Sequence, residues 1–210
     1  MKTCLVLGGE QYQEYARYLG YGITTNPGDL SDVDLLFFTG GADVSPQLYN
    51  ERPHPYTGSS ISRDEFELNL FSEAVRIGVP IFGICRGSQL LCVANGGRLI
   101  QDVKGHAGVF HWADTSIGQK IYVSSTHHQM VLPPQEATVL AWASPVLSTG
   151  HYQNGDQDNV PASTSPDFKE VEATWYPKTK SLGVQWHPEF MDFNSDAASI
   201  IKCNFIKLIT

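Results

Sequence analysis

The sequence predicts an α/β protein built on a mostly parallel sheet, with antiparallel strands added in its second half. Two observations carry this. In the first half, short apolar runs alternate with amphipathic stretches, and the runs are apolar on both faces, as in strands covered by helices on either side. In the second half, strand-like segments follow one another across turns, with no helical stretch until the C-terminal SDAASIIKCNFIKLI. A chain of 210 residues suffices for one sizeable core, so a single domain over residues 1–210 is expected.

CLVLGG, starting at Cys4, reads as the first strand, and EQYQEYARYLG as a helix stopped at Gly20. VDLLFFTGG is a second strand, closed by Gly40 and Gly41. SRDEFELNLFSEAVRIG has helical spacing, with Phe66, Leu70 and Val75 on one face. Ser62 and Glu65 have capping-box spacing at its start, and Gly78 suits its end. VPIFGIC is a fully apolar strand and RGSQLLCVANGG the helix after it. KIYVSS, ATVLAWA, VEATWYP and SLGVQWH then read as strands. The stretch from Ser144 to Lys169, rich in Ser, Pro, Asn, Asp and Gly, reads as a long surface loop.

Composition excludes several functions. Apolar content of 41% and charged content of 17% describe an ordinary globular chain. A net charge of −8 without any Lys/Arg run argues against nucleic-acid binding, which needs clustered cations. No window approaches the roughly 20 apolar residues of a membrane span. MKTCLVLGGE lacks the long apolar stretch and small-residue cleavage site of a signal peptide, so a cytoplasmic location is expected. Cys4, Cys85, Cys92 and Cys203 show no CxxC pairing, which predicts neither a zinc knuckle nor a disulfide framework.

One cysteine stands apart. Cys4, Cys92 and Cys203 sit within apolar strand or helix patterns and read as packing residues. Gly83-Ile84-Cys85-Arg86-Gly87 has the G-x-nucleophile-x-G pattern of a strand-to-helix elbow, where glycines allow backbone segments to approach closely. The elbow presents the thiol at the N-terminus of a helix, which favours thiolate. The N–H of Arg86 is then placed to donate to an oxyanion. A thiol nucleophile needs a base, and the base an orienting group. His187 ends a strand and precedes Pro188, which restricts it to extended backbone. Glu189, two residues on, then falls on the same side and can fix the imidazole tautomer.

These residues and their neighbours carry a resemblance. FGICRGSQ, GGRLIQD, SSTHHQMV and GVQWHPEF, with FFTGGADVSPQLYNE and SRDEFE, resemble the class I glutamine amidotransferase superfamily, and within it the γ-glutamyl hydrolase branch (peptidase C26 and γ-glutamyl-γ-aminobutyrate hydrolases). The resemblance spans most of the chain and thins over Val109–Gln119 and Ser144–Lys169. It implies a flavodoxin-like, three-layer α/β/α class I glutamine amidotransferase fold and a Cys85–His187–Glu189 triad that forms a γ-glutamyl thioester. It places the oxyanion on the backbone N–H groups of Arg86 and Gly41. It gives Gln89 a contact with the glutamyl moiety, and makes Ser125, His127 and His128 part of the pocket lining. Arg63-Asp64 recurs in this branch, where it either positions loops or compensates a helix start. Asp43 is left to bond either its own turn or a substrate amine.

Metal binding by His127-His128 with His106 and His111 is set aside, because no carboxylate or cysteine joins them at ligand-like spacing. Acyl transfer by a thiol, a base and backbone donors requires no metal and no organic cofactor. The resemblance implies a hydrolase acting on a small-molecule γ-glutamyl substrate. The alternative is a glutaminase subunit supplying ammonia to a separate synthetase partner, and a γ-glutamyl transferase would use the same thioester. A homodimer is also left open. A binding module without activity is disfavoured by the presence of all three triad members. The leaving-group pocket is expected between the Gly105–Gly118 and Ser144–Lys169 loops, from His111, Trp112, Tyr152 and Phe168.

Overall fold

Strands apolar on both faces are stable only between two covering layers, and the chain places them there. The computed structural model describes residues 2–26, 28, 30–148, 151–154, 157–161 and 168–210. In chain order these form β1 (Thr3–Val6), α1 (Glu10–Leu19), β2 (Gly22–Thr24), β3 (Leu35–Phe38), α2 (Ile61–Ile77), β4 (Ile81–Ile84), α3 (Arg86–Ala94) and β5 (Arg98–Ile100). There follow β6 (Val109–Thr115), β7 (Lys120–Ser125), β8 (Met130–Leu132), β9 (Thr138–Ala143), β10 (His151–Asn154), β11 (Gln157–Pro161), β12 (Val171–Tyr176), β13 (Ser181–Val184) and α4 (Asp196–Ile200).

The main sheet has nine strands in the order β2-β1-β3-β4-β13-β12-β9-β6-β7. The strands from β2 to β13 in that order are mutually parallel, and β12, β9, β6 and β7 continue it antiparallel. Side chains alternate between two cores. Cys4, Val6, Leu35 and Phe37 pack with Tyr15, Ala16 and Leu19 of α1 and with Ala197, Ala198 and Ile200 of α4. Leu5, Leu36 and Phe38 pack on the other face with Phe71 and Ala74 of α2 and with Leu90 and Leu91 of α3. This is the expected α/β/α sandwich, and helices α1 and α2 end at Gly20 and Gly78 in left-handed conformation, as the sequence predicts.

Five details differ from the sequence reading. The Ser144–Lys169 segment contains an antiparallel ribbon of β10 and β11; such a ribbon pairs its own backbone and needs no apolar alternation to announce it. The three-residue strands β2, β5 and β8 are too short to show a period. Helix α2 starts at Ile61, so Ser62 lies inside it and forms no capping box. Its buried face belongs to Asp64, Glu67, Phe71 and Ala74, which turns Phe66 to solvent. Cys203, read as packed, is exposed, because α4 gives way to a wider turn over Ile201–Phe205 that rotates it outward.

Candidate active site

β4 ends at Ile84 and α3 begins at Arg86, leaving Cys85 alone in the joint. Its φ of 52° and ψ of −109° lie where L-residues rarely sit, a strain of about 1–3 kcal/mol. The flanking glycines are dictated by close approach. A Cβ on Gly83 would stand 2.6 Å from the Gly87 carbonyl carbon, and one on Gly87 would overlap the Phe38 carbonyl. Gly87→Ala is therefore expected to destabilise the protein by about 1–3 kcal/mol, read as a lowered denaturation midpoint. An unchanged midpoint would show that the elbow is looser than described.

The sheet explains why His187 meets this cysteine. Ile84 of β4 lies opposite Val184 of the parallel strand β13, and the Cys85 N–H donates to the Val184 carbonyl at 2.8 Å. The chains leaving these two strands therefore start side by side, at the carboxyl edge where such sheets bind ligands. Beyond β13, Pro188–Phe190 forms a single tight helical turn. The sequence reading expects extended backbone between His187 and Glu189; the turn replaces it and still folds the carboxylate back, with His187 Nδ1 2.6 Å from Glu189 Oε1. Ser124, at the end of β7, clamps the same residue: its Oγ accepts the His187 N–H at 3.1 Å and donates to the His187 carbonyl at 3.3 Å.

Burial disfavours a charged imidazole at His187. Hydrogen bonds to Cys85 and Glu189, with the charges of both, outweigh it and raise the ring to about 10. Nδ1 is taken by Glu189, so Nε2 is the nitrogen left for the thiol.

On the other side of β4, the chain leaving β3 closes over the pair. A Cβ on Gly40 would lie 3.1 Å from His187 Cε1 and 3.7 Å from Cys85 Cβ. The Gly40 N–H donates to the Tyr12 hydroxyl at 3.2 Å, and its carbonyl accepts from Arg63 Nη2 at 3.1 Å. Gly41 has φ +147°, a backbone conformation that favours glycine, and a Cβ there would displace the Arg63 guanidinium. Burial, then the charges of Glu189 and Cys85, push the Tyr12 hydroxyl well up, which keeps it neutral. Tyr12 escapes sequence reasoning because Tyr15 and Tyr18 share its helix and nothing local separates the three.

The Arg86 side chain turns inward, away from the thiol. Its guanidinium is buried and bridges Asp64 and Glu67 of α2. Glu67 also receives Arg63 Nε at 2.8 Å, and Asp64 Oδ2 accepts the Ser45 N–H at 2.9 Å. The Arg63-Asp64 pair thus fastens both the loop after β3 and the elbow, rather than serving only the helix start.

The remaining predicted residues separate into two groups. Gln89 Nε2 donates to the Gln129 carbonyl and to Gln185 Oε1, both at 3.3 Å, one turn past Cys85. Ser125 Oγ is buried without a hydrogen-bond partner. His128 bridges Asp43 at 3.1 Å and Asp102 at 3.2 Å; the Asp43 hydrogen bond is the main cause of its raised pKa. Asp43 also accepts the Gly58 N–H at 2.9 Å, so its bonds go to the protein. His127 points away from this group, with Nδ1 2.8 Å from the Gln129 carbonyl and Nε2 toward Glu172.

Among the described residues, those named for the leaving-group pocket do not come together. His111 is buried beside Glu172, and Phe168 packs on Ile100, Val103 and Met130. Trp112 is half exposed against Tyr122, and the Tyr152 side chain lies outside the described residues. Phe190, which no pattern singled out, stacks on the His187 ring at 5.0 Å and is largely exposed, at the mouth of the site.

Comparison with known proteins shows the family and the fold. Protein NtpR of Enterococcus hirae is 35% identical over 168 residues, covering 76% of this chain and 68% of that protein. Gamma-glutamyl-gamma-aminobutyrate hydrolase PuuD of Escherichia coli is 27% identical over 192 residues, 86% of this chain and 72% of its own. The crystal structure of a glutamine amidotransferase from Thermotoga maritima shares the fold, with a TM-score of 0.60 at 15% identity over 90% of this chain and 76% of that one. The Peptidase C26 family matches residues 29–189, a span that runs from ahead of β3 through the elbow to Glu189, and the chain belongs to that family.

Proposed function

We propose that the protein hydrolyses γ-glutamyl amide bonds through a γ-glutamyl thioester on Cys85. The observation that carries this is a cysteine at φ 52° in a tight elbow, brought beside a buried imidazole that is itself held by a carboxylate at 2.6 Å. Cys85 Sγ attacks the amide carbonyl, and the resulting oxyanion is met by the N–H groups of Arg86 and Gly41. Arg86 opens α3, whose first N–H groups have no acceptor within their own helix. His187 Nε2 delivers its proton to the leaving amine, the C–N bond breaks, and the thioester remains. Water, deprotonated by the same nitrogen, releases glutamate and restores the thiol. Gln89, Ser125 and the 127–129 segment line the glutamyl end. Phe190, stacked on His187, faces the departing amine. The reading places the chain in the cytoplasm, where a reducing environment keeps Cys85 free.

A panel of glutamine, γ-glutamyl-γ-aminobutyrate and other γ-glutamyl amides tests this by glutamate release from the purified protein alone. Release from one amide well above glutamine supports a free-standing hydrolase. Glutamine turnover that appears only with a synthetase partner supports the ammonia-supplying alternative. Inactivity on the whole panel, alone and with such a partner, would contradict both.

The raised His187 sets the alkaline limit. The ring keeps its proton below its pKa of about 10 and loses it above. Acylation should therefore hold steady across neutral pH and fall as pH rises through about 10. A pre-steady-state profile that falls already near the ordinary histidine range of about 6.5 would contradict the coupling to Cys85 and Glu189.

A further inference from the structure

Four buried side chains outside the Cys85 site converge on one another. His106 lies between β5 and β6, His111 on β6, His127 just past β7 and Glu172 on β12. Glu172 Oε1 is 3.5 Å from His106 Nδ1, 3.3 Å from His111 Nε2 and 3.7 Å from His127 Nε2. All four atoms are buried, and none makes a hydrogen bond. Buried polar atoms are ordinarily paired, so this gathering needs a physical reason.

The opposite nitrogen of each ring points to one. His106 Nε2 meets Glu170 Oε2 at 3.1 Å, His111 Nδ1 the Trp112 carbonyl at 3.1 Å, and His127 Nδ1 the Gln129 carbonyl at 2.8 Å. Carbonyl and carboxylate oxygens only accept, so each outer nitrogen carries the hydrogen. In the neutral ring each inner nitrogen then turns a lone pair toward the Glu172 carboxylate, and only a proton or a metal ion there relieves the contact. Lone pairs and an anion gathered in a dry interior repel one another unless a cation stands among them.

We propose that His106, His111 and Glu172, with His127 as fourth donor, bind a divalent transition-metal ion, with zinc favoured by the ligand types. The donor atoms of the first three lie within 4.8 Å of one another. A tetrahedral zinc ion with bonds of about 2.0–2.1 Å spaces its donors about 3.3–3.4 Å apart, close to the distances found around Glu172 Oε1. The outer contacts are those that metal-bound histidines keep, including a carboxylate behind one ring. That carboxylate, Glu170, is itself held by the N–H groups of Leu147 at 2.7 Å and Ser148 at 3.1 Å. With four protein donors the ion is structural, not catalytic. It ties β6 and β12 to the 127–129 segment, whose Gln129 carbonyl also accepts from Gln89. Sequence spacing hides the site because its carboxylate comes from a strand far along the chain.

The test is the metal content of the full chain carrying Cys85→Ala, which removes any zinc held by the active-site thiol. Expressed with zinc and desalted, this chain should carry about one zinc per molecule by mass spectrometry of the elements. Adding Glu172→Gln or His111→Gln should lower that content at least about ten-fold. Refolded with cobalt(II), the Cys85→Ala chain should show the intense visible absorption of a four-coordinate ion. Less than about a tenth of an equivalent of either metal, with no rise in melting temperature when zinc is present during refolding, overturns the proposal. It would leave protons as the cations of the cluster. The decisive readout does not depend on the ligand variants folding, and no substrate is turned over, so it stands apart from the hydrolase reading.

Discussion

Cys85→Ala is expected to abolish glutamate release, by at least about 10⁴-fold, while leaving the denaturation midpoint near that of the wild type. The two halves of this expectation have separate causes. In the proposed mechanism the thiol is the atom that forms the thioester, and neither His187 nor the backbone donors can replace it. The strain at φ 52° arises from a Cβ in an unfavourable backbone region, and alanine keeps that Cβ. The tight contacts of Gly83 and Gly87 are also untouched. Substrate binding should survive, so the variant is suited to measuring affinity by calorimetry. Turnover equal to wild type would end the covalent mechanism.

Arg86→Met is expected to be the most destabilising single change near the site, by about 3–5 kcal/mol. Arginine bridges two carboxylates that are themselves buried, Asp64 and Glu67. Removing it strands both. Arg63 compensates Glu67 alone, and it lies partly in solvent. The prediction has an internal control: adding Asp64→Asn and Glu67→Gln to Arg86→Met should recover most of the loss, because the cost lies in uncompensated charge. Urea denaturation reads both variants. A single variant within about 1 kcal/mol of wild type would show that the carboxylates are not held charged in the interior.

The sequence reading locates the Cys85 site and the fold because both are written in local pattern. Apolar runs mark the parallel strands, and the glycines around Cys85 mark a turn too tight for side chains. His187 and Glu189 are adjacent enough for their pairing to be read, although a tight turn and not extended backbone makes it. What remains hidden is set by tertiary contact. Tyr12 and Ser124 hold the backbone of the candidate site through hydroxyls that look like any others on their helix and strand. For the second cluster the sequence reading weighs His106, His111 and His127 and sets them aside for want of a carboxylate; the signal it passes over is Glu170 and Glu172, two residues apart at the start of an apolar strand and hence on one face. Without the sheet order nothing says that β6 and β12 reach each other's histidines and glutamate around β9. Patterns of exposure mislead in the same way: Phe66 loses the buried face of α2 to Asp64 and Glu67 because Arg86 waits for them there.

The most direct test of the central claim is the intact mass of the wild-type protein, quenched in acid within milliseconds of mixing with its best γ-glutamyl amide. The account predicts a γ-glutamyl adduct that peptide mapping assigns to Cys85, and that hydroxylamine removes. Steady glutamate release with no adduct on Cys85, and undiminished in Cys85→Ala, would contradict it.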